Sequence, residues 1–317
     1  MNLAPATPRL SGAPLGVTLA VLGTILFGLN ASTTKIVMAT GITPGQIVGF
    51  RSLFTALLAG LAVLLINPRN FKVERSEILP LLFFGVFGVA LMQWSYSVAV
   101  QLLPVGIALL IEYTAIVWVP LASFVLFRER FRPVLWIGVA LVLVGLAVVS
   151  QVWASDLNPV GILAAFGAAA FLSIYFIMGE RTQRKRDAYS TLFYTMLISA
   201  IMWSAINPWW VGTFDDITAA VDLSGNLAGI KVPIWLLVVW IGVAGSFLPM
   251  LFSYLAMRLI RPAIMGIIGT SEVLFAFLFG WLWLGETIGI LQAIGGLLVI
   301  AGIVIAQNSK GKPDGLN

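Results

Sequence analysis

The chain has 317 residues, 60% of them hydrophobic and 10% charged, with a mean hydropathy of +1.03 and a formal net charge of +5. A soluble protein of this size carries about 25% charged residues, so these are too few to cover a water-facing surface, and the fold class expected is an all-α integral membrane protein. Cysteine and histidine are absent, which excludes a disulfide framework, thiolate chemistry and both the commonest metal ligand and the commonest general base; no metal and no cofactor are expected.

A bilayer core takes about 20 apolar residues per helix, and windows of that length give ten spans. Residues 1–14 come first, a segment read as cytoplasmic that lacks a charged leader and small-residue cleavage site. The first span, 15–39, carries Asn30 and Lys35, and the second, 46–66, carries Arg51. The third, 77–100, holds Gln93, Trp94 and Tyr96, and the fourth, 104–127, holds Glu112, Tyr113 and Trp118. The fifth is 133–151, the sixth, 159–181, contains Tyr175, and the seventh is 188–206. The longest link follows, 207–232, with Trp209 and Trp210 as interfacial anchors; its "DDITAAVD" (215–222) reads either as a short surface helix or as a solvated loop. The eighth span, 233–257, contains Tyr254, the ninth, 262–284, contains Thr270, Ser271 and Glu272, the tenth is 287–307, and residues 308–317 form a tail.

Most links are very short, which makes neighbouring helices antiparallel within one bundle. The basic residues set its orientation. Fifteen of the eighteen lie on one side: Arg9, the links after the second, fourth, sixth and eighth spans, and the tail. Lys231 alone lies on the other side, while Lys35 and Arg51 lie within spans. Both termini and the tail are therefore expected in the cytoplasm and the 207–232 loop outside. The positive charge is a topology signal, so nucleic acid is not expected as a partner.

The chain resembles itself. "SYSVAVQLLPVGIA" (95–108) matches "SYLAMRLIRPAIMG" (253–266), and the following segments align Gly138 with Gly295 and Gly145 with Gly302. A weaker echo pairs "GTILF" (23–27) with "GAAAF" (167–171). The unit is five spans, 15–151 and again 159–307. Five is odd, so the second copy sits upside down relative to the first, an arrangement that underlies alternating access around a site near the midplane.

"SEVLFAFLFGWLWLGE" (271–286) with a glycine-rich last span, "FGLNASTTK" (27–35) and Arg51 in "VGFRSLFTALLAG" (48–60) resemble the drug/metabolite transporter superfamily, EamA type. "PVGIALLIEYTAIVWVPL" (104–121) is nearest in pattern to the threonine/homoserine exporter branch. The chain departs from that pattern at Ala115-Ile116, where the branch has Gly-Pro, and at Val273, where the family often has Pro after the acid. The resemblance implies a ten-helix carrier that moves small metabolites, often outward.

An ionised side chain at mid-bilayer costs about 2.5–3.5 kcal/mol or more, so the buried acids need a reason. Glu272 is ten residues past Pro262, roughly 15 Å into its helix, and Glu112 is eight past Pro104, roughly 12 Å from the outer face. For each, the plain alternative is a protonated carboxyl bonded to a neighbouring helix; the functional one is a carboxylate that meets a proton or a substrate amine. Low dielectric disfavours any ionised carboxyl and a cationic amine beside it restores it, so substrate and proton would compete for one acid. Lys35 and Arg51 either snorkel to headgroups or meet Glu112 or a substrate carboxylate. Asn30, Gln93, Thr270 and Ser271 are too polar to face lipid, and Trp94, Tyr96, Tyr113, Trp118, Tyr175 and Tyr254 are candidates to bracket a substrate.

The expected function is a secondary-active, alternating-access transporter that exports a small metabolite, most readily an amino acid or analogue, by proton exchange. An alternative cargo is a nucleoside, a vitamin or a hydrophobic cationic drug. A membrane-embedded enzyme lacks any catalytic cluster here, and without a P-loop the chain is not an ATP-driven pump. The partners expected are a small-molecule substrate, protons as coupling ion and the lipid bilayer, for a monomer or homodimer in a bacterial-type cytoplasmic (inner) membrane.

Overall fold

A computed structural model describes residues 12–103, 105–127, 132–151, 157–208, 218–285 and 289–307. Trp209, Trp210, the N-terminal segment through residue 11 and the tail after residue 307 lie outside the described residues. The described chain is mainly helical: eight helical stretches are long and apolar enough to cross a membrane, and two shorter apolar helices accompany them.

The helices are α1 (Ala13–Met38), α2 (Pro44–Ile66), α3 (Arg75–Phe83), α4 (Leu91–Leu102), α5 (Val105–Glu112), α6 (Ala115–Phe127) and α7 (Pro133–Ser150). Then come α8 (Pro159–Gln183), α9 (Ala188–Ile206), a hairpin of β1 (Ala220–Asp222) and β2 (Lys231–Pro233), α10 (Ile234–Gly242), α11 (Leu248–Met257), α12 (Pro262–Gly269), α13 (Ser271–Phe279) and α14 (Ile290–Gln307). Local sequence starts many of them. Proline opens α2, α7, α8 and α12, where its missing N–H costs no helical bond. Thr43 and Gln46 form a capping box on α2, and Asp187 caps α9 through the Ser190 N–H at 3.0 Å.

Helix faces that turn outward are strongly apolar, with Leu65 75%, Leu163 74% and Ile290 80% exposed. In water such a surface would aggregate; in a bilayer it is the lipid-facing side. The chain is a multi-pass membrane protein.

Helix pairing has an internal order. α4 packs along α8 and α11 along α1, α2 along α9, and α7 along α14. Exchanging the two halves of the chain turns the first pair into the second and leaves the last two in place. The α7–α14 crossing shows why. A Cβ on Gly145 would stand 2.8 Å from the Gly295 carbonyl, and one on Gly138 would stand 2.8 Å from that of Gly302. The converse approaches, Gly295 to Gly145 and Gly302 to Gly138, are both 2.7 Å. Two antiparallel helices touch backbone to backbone, as small residues permit in lipid.

Irregular segments also recur at matched places. π-Helical turns interrupt the third span at Phe84–Ala90 and the eighth at Val243–Phe247; with Ser95 set on Ser253, residues 84–90 fall on 242–248. The fourth span breaks at Tyr113–Thr114, between α5 and α6, and the ninth at Thr270, between α12 and α13.

The two ends of the bundle are fastened by loops. At one end Arg186 donates to Glu77 Oε2 at 2.8 Å and to the carbonyls of Asn70 and Lys72 at 2.6 and 3.1 Å, joining the α2–α3 and α8–α9 links. At the other, Asn207 donates to Thr43 Oγ1 at 3.1 Å, joining the α1–α2 link to the end of α9. The hairpin covers this second end, with Trp283 donating to the Leu223 carbonyl at 3.0 Å. Its β1 strand occupies part of the stretch expected as surface helix or loop: Ala220–Asp222 pairs antiparallel with Lys231–Pro233. Asp222 accepts from the Ser224 and Gly229 N–H groups at 2.8 and 2.9 Å, which hold its carboxyl below the usual range.

A Gly145→Ala substitution is expected to destabilise the protein by about 1–3 kcal/mol, as for an overpacked contact, because rigid backbone blocks the new methyl. Gly296→Ala, where the nearest atom is Leu274 Cδ2 at 3.4 Å, is expected to leave stability unchanged. Thermal unfolding in detergent distinguishes the two, and equal melting temperatures would contradict the crossing.

Candidate functional site

The interrupted helices enclose a cavity of about 80 Å³. α1 contributes Thr24, Phe27 and Asn30, α2 contributes Arg51, and α4 contributes Met92, Gln93 and Tyr96. Glu112 ends α5 and Tyr113 follows it; α8 adds Leu172, Tyr175 and Phe176, α11 adds Met250 and Ser253, α12 adds Met265 and Gly269, and α13 adds Glu272. Both breaks therefore open on the cavity. Non-helical backbone at membrane depth is tolerated only where protein buries it or it lines a cavity.

Arg51 is 4% exposed, and among the described residues its guanidinium makes one hydrogen bond, from Nη2 to the Gly245 carbonyl at 3.2 Å. Gly245 lies in the π-helical turn, and the residue four positions on is Pro249, which lacks the N–H that an α-helix would return to that carbonyl. Arg51 forms no ion pair among the described residues, and its Nε is without a partner. Asn30 lies against the same turn: a Cβ on Gly245 would stand 2.0 Å from Asn30 Oδ1, itself an unpartnered buried acceptor. Gln93, 3% exposed, places its amide nitrogen 3.8 and 3.9 Å from the sulfurs of Met196 and Met250, weak acceptors, and its Oε1 has no partner.

The acids face Arg51 across this space. Glu272 accepts a hydrogen bond at 2.7 Å from the Tyr113 hydroxyl. Glu112, 6% exposed, has no hydrogen-bond or ion-pair partner among the described residues. Beside Glu272, Ser271 Oγ lies 3.0 Å from Thr24 Oγ1 and bonds the Ile268 carbonyl at 2.7 Å.

Of the residues singled out by sequence, Asn30, Arg51, Gln93, Tyr96, Glu112, Tyr113, Tyr175 and Glu272 are brought together on this cavity. Tyr254 stands behind it, stacked on Tyr175 at 5.7 Å, with its hydroxyl 3.2 Å from Thr195 Oγ1. Thr270 turns its hydroxyl onto the Ile267 carbonyl at 2.6 Å and lies outside the lining, as does Ser271. Trp94 stacks on Trp203 at 5.5 Å and is 37% exposed, and Trp118 is 49% exposed on the outer surface. Lys35 belongs to α1, whose backbone alone is described at that residue. Sequence reasoning missed Thr24, Ser253, Gly269 and the apolar lining. Met92 and Met250 carried a signal, since they occupy matched positions three residues before Ser95 and Ser253.

Comparison with known proteins fits this architecture. The model of the EamA-like transporter family matches residues 14–151 and 159–307. The threonine/homoserine exporter of Escherichia coli K12 is 27% identical over 298 residues, covering 93% of this chain and 90% of that protein. A transporter of Archaeoglobus fulgidus is 28% identical over 248 residues, covering 78% of this chain and 82% of its own length. A solved crystal structure, 18% identical, superimposes with a TM-score of 0.73 over 93% of this chain and 97% of its own, a likeness of fold.

The Asn30–Gly245 contact makes a separable prediction. Gly245→Ala is expected to lower the melting temperature, since the methyl and Asn30 Oδ1 occupy one place, and Asn30→Ala in the same chain is expected to restore much of it. A double-mutant cycle measured by thermal unfolding tests this; additive effects would show that the two residues do not meet.

Proposed function

The chain belongs to the EamA-like transporter family, and from that premise we propose that it is a secondary-active carrier for a small zwitterion, an amino acid or close analogue. The observation that carries the reading is a guanidinium and a carboxyl, Arg51 and Glu112, both buried, both on one cavity and neither ion-paired among the described residues. A buried charge without a counter-charge is costly. A ligand with a carboxylate at one end and an ammonium at the other relieves both at once.

Size supports the same class. On this measure of volume a water needs about 10–15 Å³, so a cavity of about 80 Å³ admits roughly five to eight water-sized groups. That suits an amino acid of the size of threonine or homoserine, the compounds named for the Escherichia coli relative.

Alternating access accounts for the exchange-related helix pairs, the matched π-turns and the matched breaks, which are the features of an inverted repeat built around a midplane site. In this reading 15–151 and 159–307 are the two repeats and both termini are cytoplasmic, as the basic residues favour. Export from the cytoplasm across a bacterial inner membrane would then be driven by protons entering in exchange, taken up by the cavity acids. Each fastened end is a gate: Arg186 with Glu77 on the cytoplasmic side, Asn207 with Thr43 on the outer side.

Flux of a panel of labelled amino acids into proteoliposomes, with and without an imposed pH gradient, tests the proposal. Uptake of at least one small amino acid is expected, accelerated by the gradient, and Arg51→Gln is expected to reduce it at least about tenfold, the equivalent of one charge-assisted hydrogen bond. No amino-acid-dependent flux in any condition would refute the reading.

A further inference from the structure

Glu112 and Glu272 line one cavity but are tied into the protein differently, and from that difference we infer that Glu112 is the seat of the substrate's ammonium group. Glu272 is in turn the brace that positions it. The inference rests on the amino-acid reading above and goes further by giving the two acids separate tasks.

Glu272 is already engaged. Its Oε2 takes the Tyr113 hydroxyl at 2.7 Å. It also sits in the first turn of α13, where the unpaired N–H groups and the positive end of the helix dipole favour an anion. Tyr113 is the residue after Glu112 and lies in the break itself; its ring approaches α12 so closely that a Cβ on Gly269 would stand 3.2 Å from it. The Glu272–Tyr113 bond thus pins the turn that ends α5 to the opposite half of the chain.

Glu112 has the reverse surroundings. It is the last residue of α5, the negative end of that helix. The helix is closed there by Thr114, whose N–H and Oγ1 both bond the Ile111 carbonyl, at 3.1 and 2.7 Å. The Glu112 carbonyl receives none of the backbone bonds at the break among the described residues. Its carboxyl is 6% exposed, has no partner among the described residues and faces the cavity. Once an incoming ammonium ionises it, the Glu112 carboxyl beside a free carbonyl at a helix C-terminus offers acceptors and no donors, which is what an ammonium with three N–H groups requires. Arg51, from α2, supplies donors and no acceptor. The substrate's carboxylate would point to Arg51 and its amine to Glu112.

The test uses the purified full-length carrier in detergent and three ligands: L-threonine, its amine-free analogue 3-hydroxybutyrate, and its carboxyl-free analogue 1-aminopropan-2-ol. Binding is read by calorimetry or ligand-induced thermal shift. Wild type is expected to favour threonine over 3-hydroxybutyrate by at least about tenfold. In Glu112→Gln that preference is expected to fall to within about threefold of unity, with 1-aminopropan-2-ol no longer bound and 3-hydroxybutyrate binding retained, which also reports an intact fold. In Glu272→Gln and Tyr113→Phe both ligands are expected to weaken together with their ratio kept. A ratio unchanged in Glu112→Gln, a ratio lost in Glu272→Gln instead, or loss of all three ligands in Glu112→Gln would overturn the assignment while leaving the amino-acid reading in place. Absence of threonine binding to wild type, with no other amino acid transported, would remove that reading first and this one with it.

Discussion

A guanidinium buried inside a membrane protein, with a single hydrogen bond among the described residues, is the constraint around which the molecule is arranged. Arg51 has five N–H donors in a fixed fork and spends one of them on Gly245. The carbonyl it meets belongs to the π-helical turn Val243–Phe247, four residues before Pro249, which has no N–H. Gly245 has no side chain, so Asn30 and Arg51 can both come up to the turn. Proline, glycine, π-turn and arginine make one local unit. A lysine would place a point charge where the fork geometry is needed.

The remaining irregular backbone has the same logic. A continuous helix satisfies its own N–H and C=O groups and has nothing to offer a ligand. Breaking the fourth span at Tyr113–Thr114 and the ninth at Thr270 creates helix ends at mid-depth without exposing them to lipid, since both breaks face the cavity or the protein. Thr114 and Thr270 each fold their hydroxyl back onto the carbonyl three residues earlier, at 2.7 and 2.6 Å, so the cut ends are capped from within. The site is thereby placed where residues 14–151 and 159–307 meet.

Much of this was legible in the sequence because its signals are coarse and physical. Spans follow from apolar length, and every one of the ten windows coincides with a helical stretch to within a few residues. Glu112, Glu272 and Arg51 were identifiable because ionised groups are rare in hydrocarbon and the reason for each must be local. The aromatic residues were not separable. A tryptophan facing lipid and one facing a cavity look alike in a chain that is apolar on all sides, and Trp94 and Trp118 lie on outward faces. Tyr96 and Tyr254 occupy matched repeat positions, yet Tyr96 lines the cavity while Tyr254 packs behind Tyr175. The hairpin was hidden because its three-residue strands are too short for alternation to register. The role of Pro249 was present in the sequence but acquires meaning only when Arg51 is seen opposite Gly245.

Selectivity in such a cavity arises from what is left unpaired. On the proposed reading, a ligand with a carboxylate and no amine would satisfy Arg51 and leave Glu112 buried beside a helix C-terminus. A ligand with an amine and no carboxylate does the opposite, and an apolar ligand of the same volume strands both. Sites that bond a substrate's polar groups reject analogues lacking them far more strongly than apolar pockets reject a missing methylene, because the protein's own groups bear the cost. For the proposed zwitterionic ligand, discrimination among amino acids would be weaker than discrimination for them: the two poles would fix the backbone of the ligand, while Met92, Met250, Met265 and Phe176, which line the rest of the space, are adaptable apolar contacts. A carrier built this way recognises a class before it recognises a member of it.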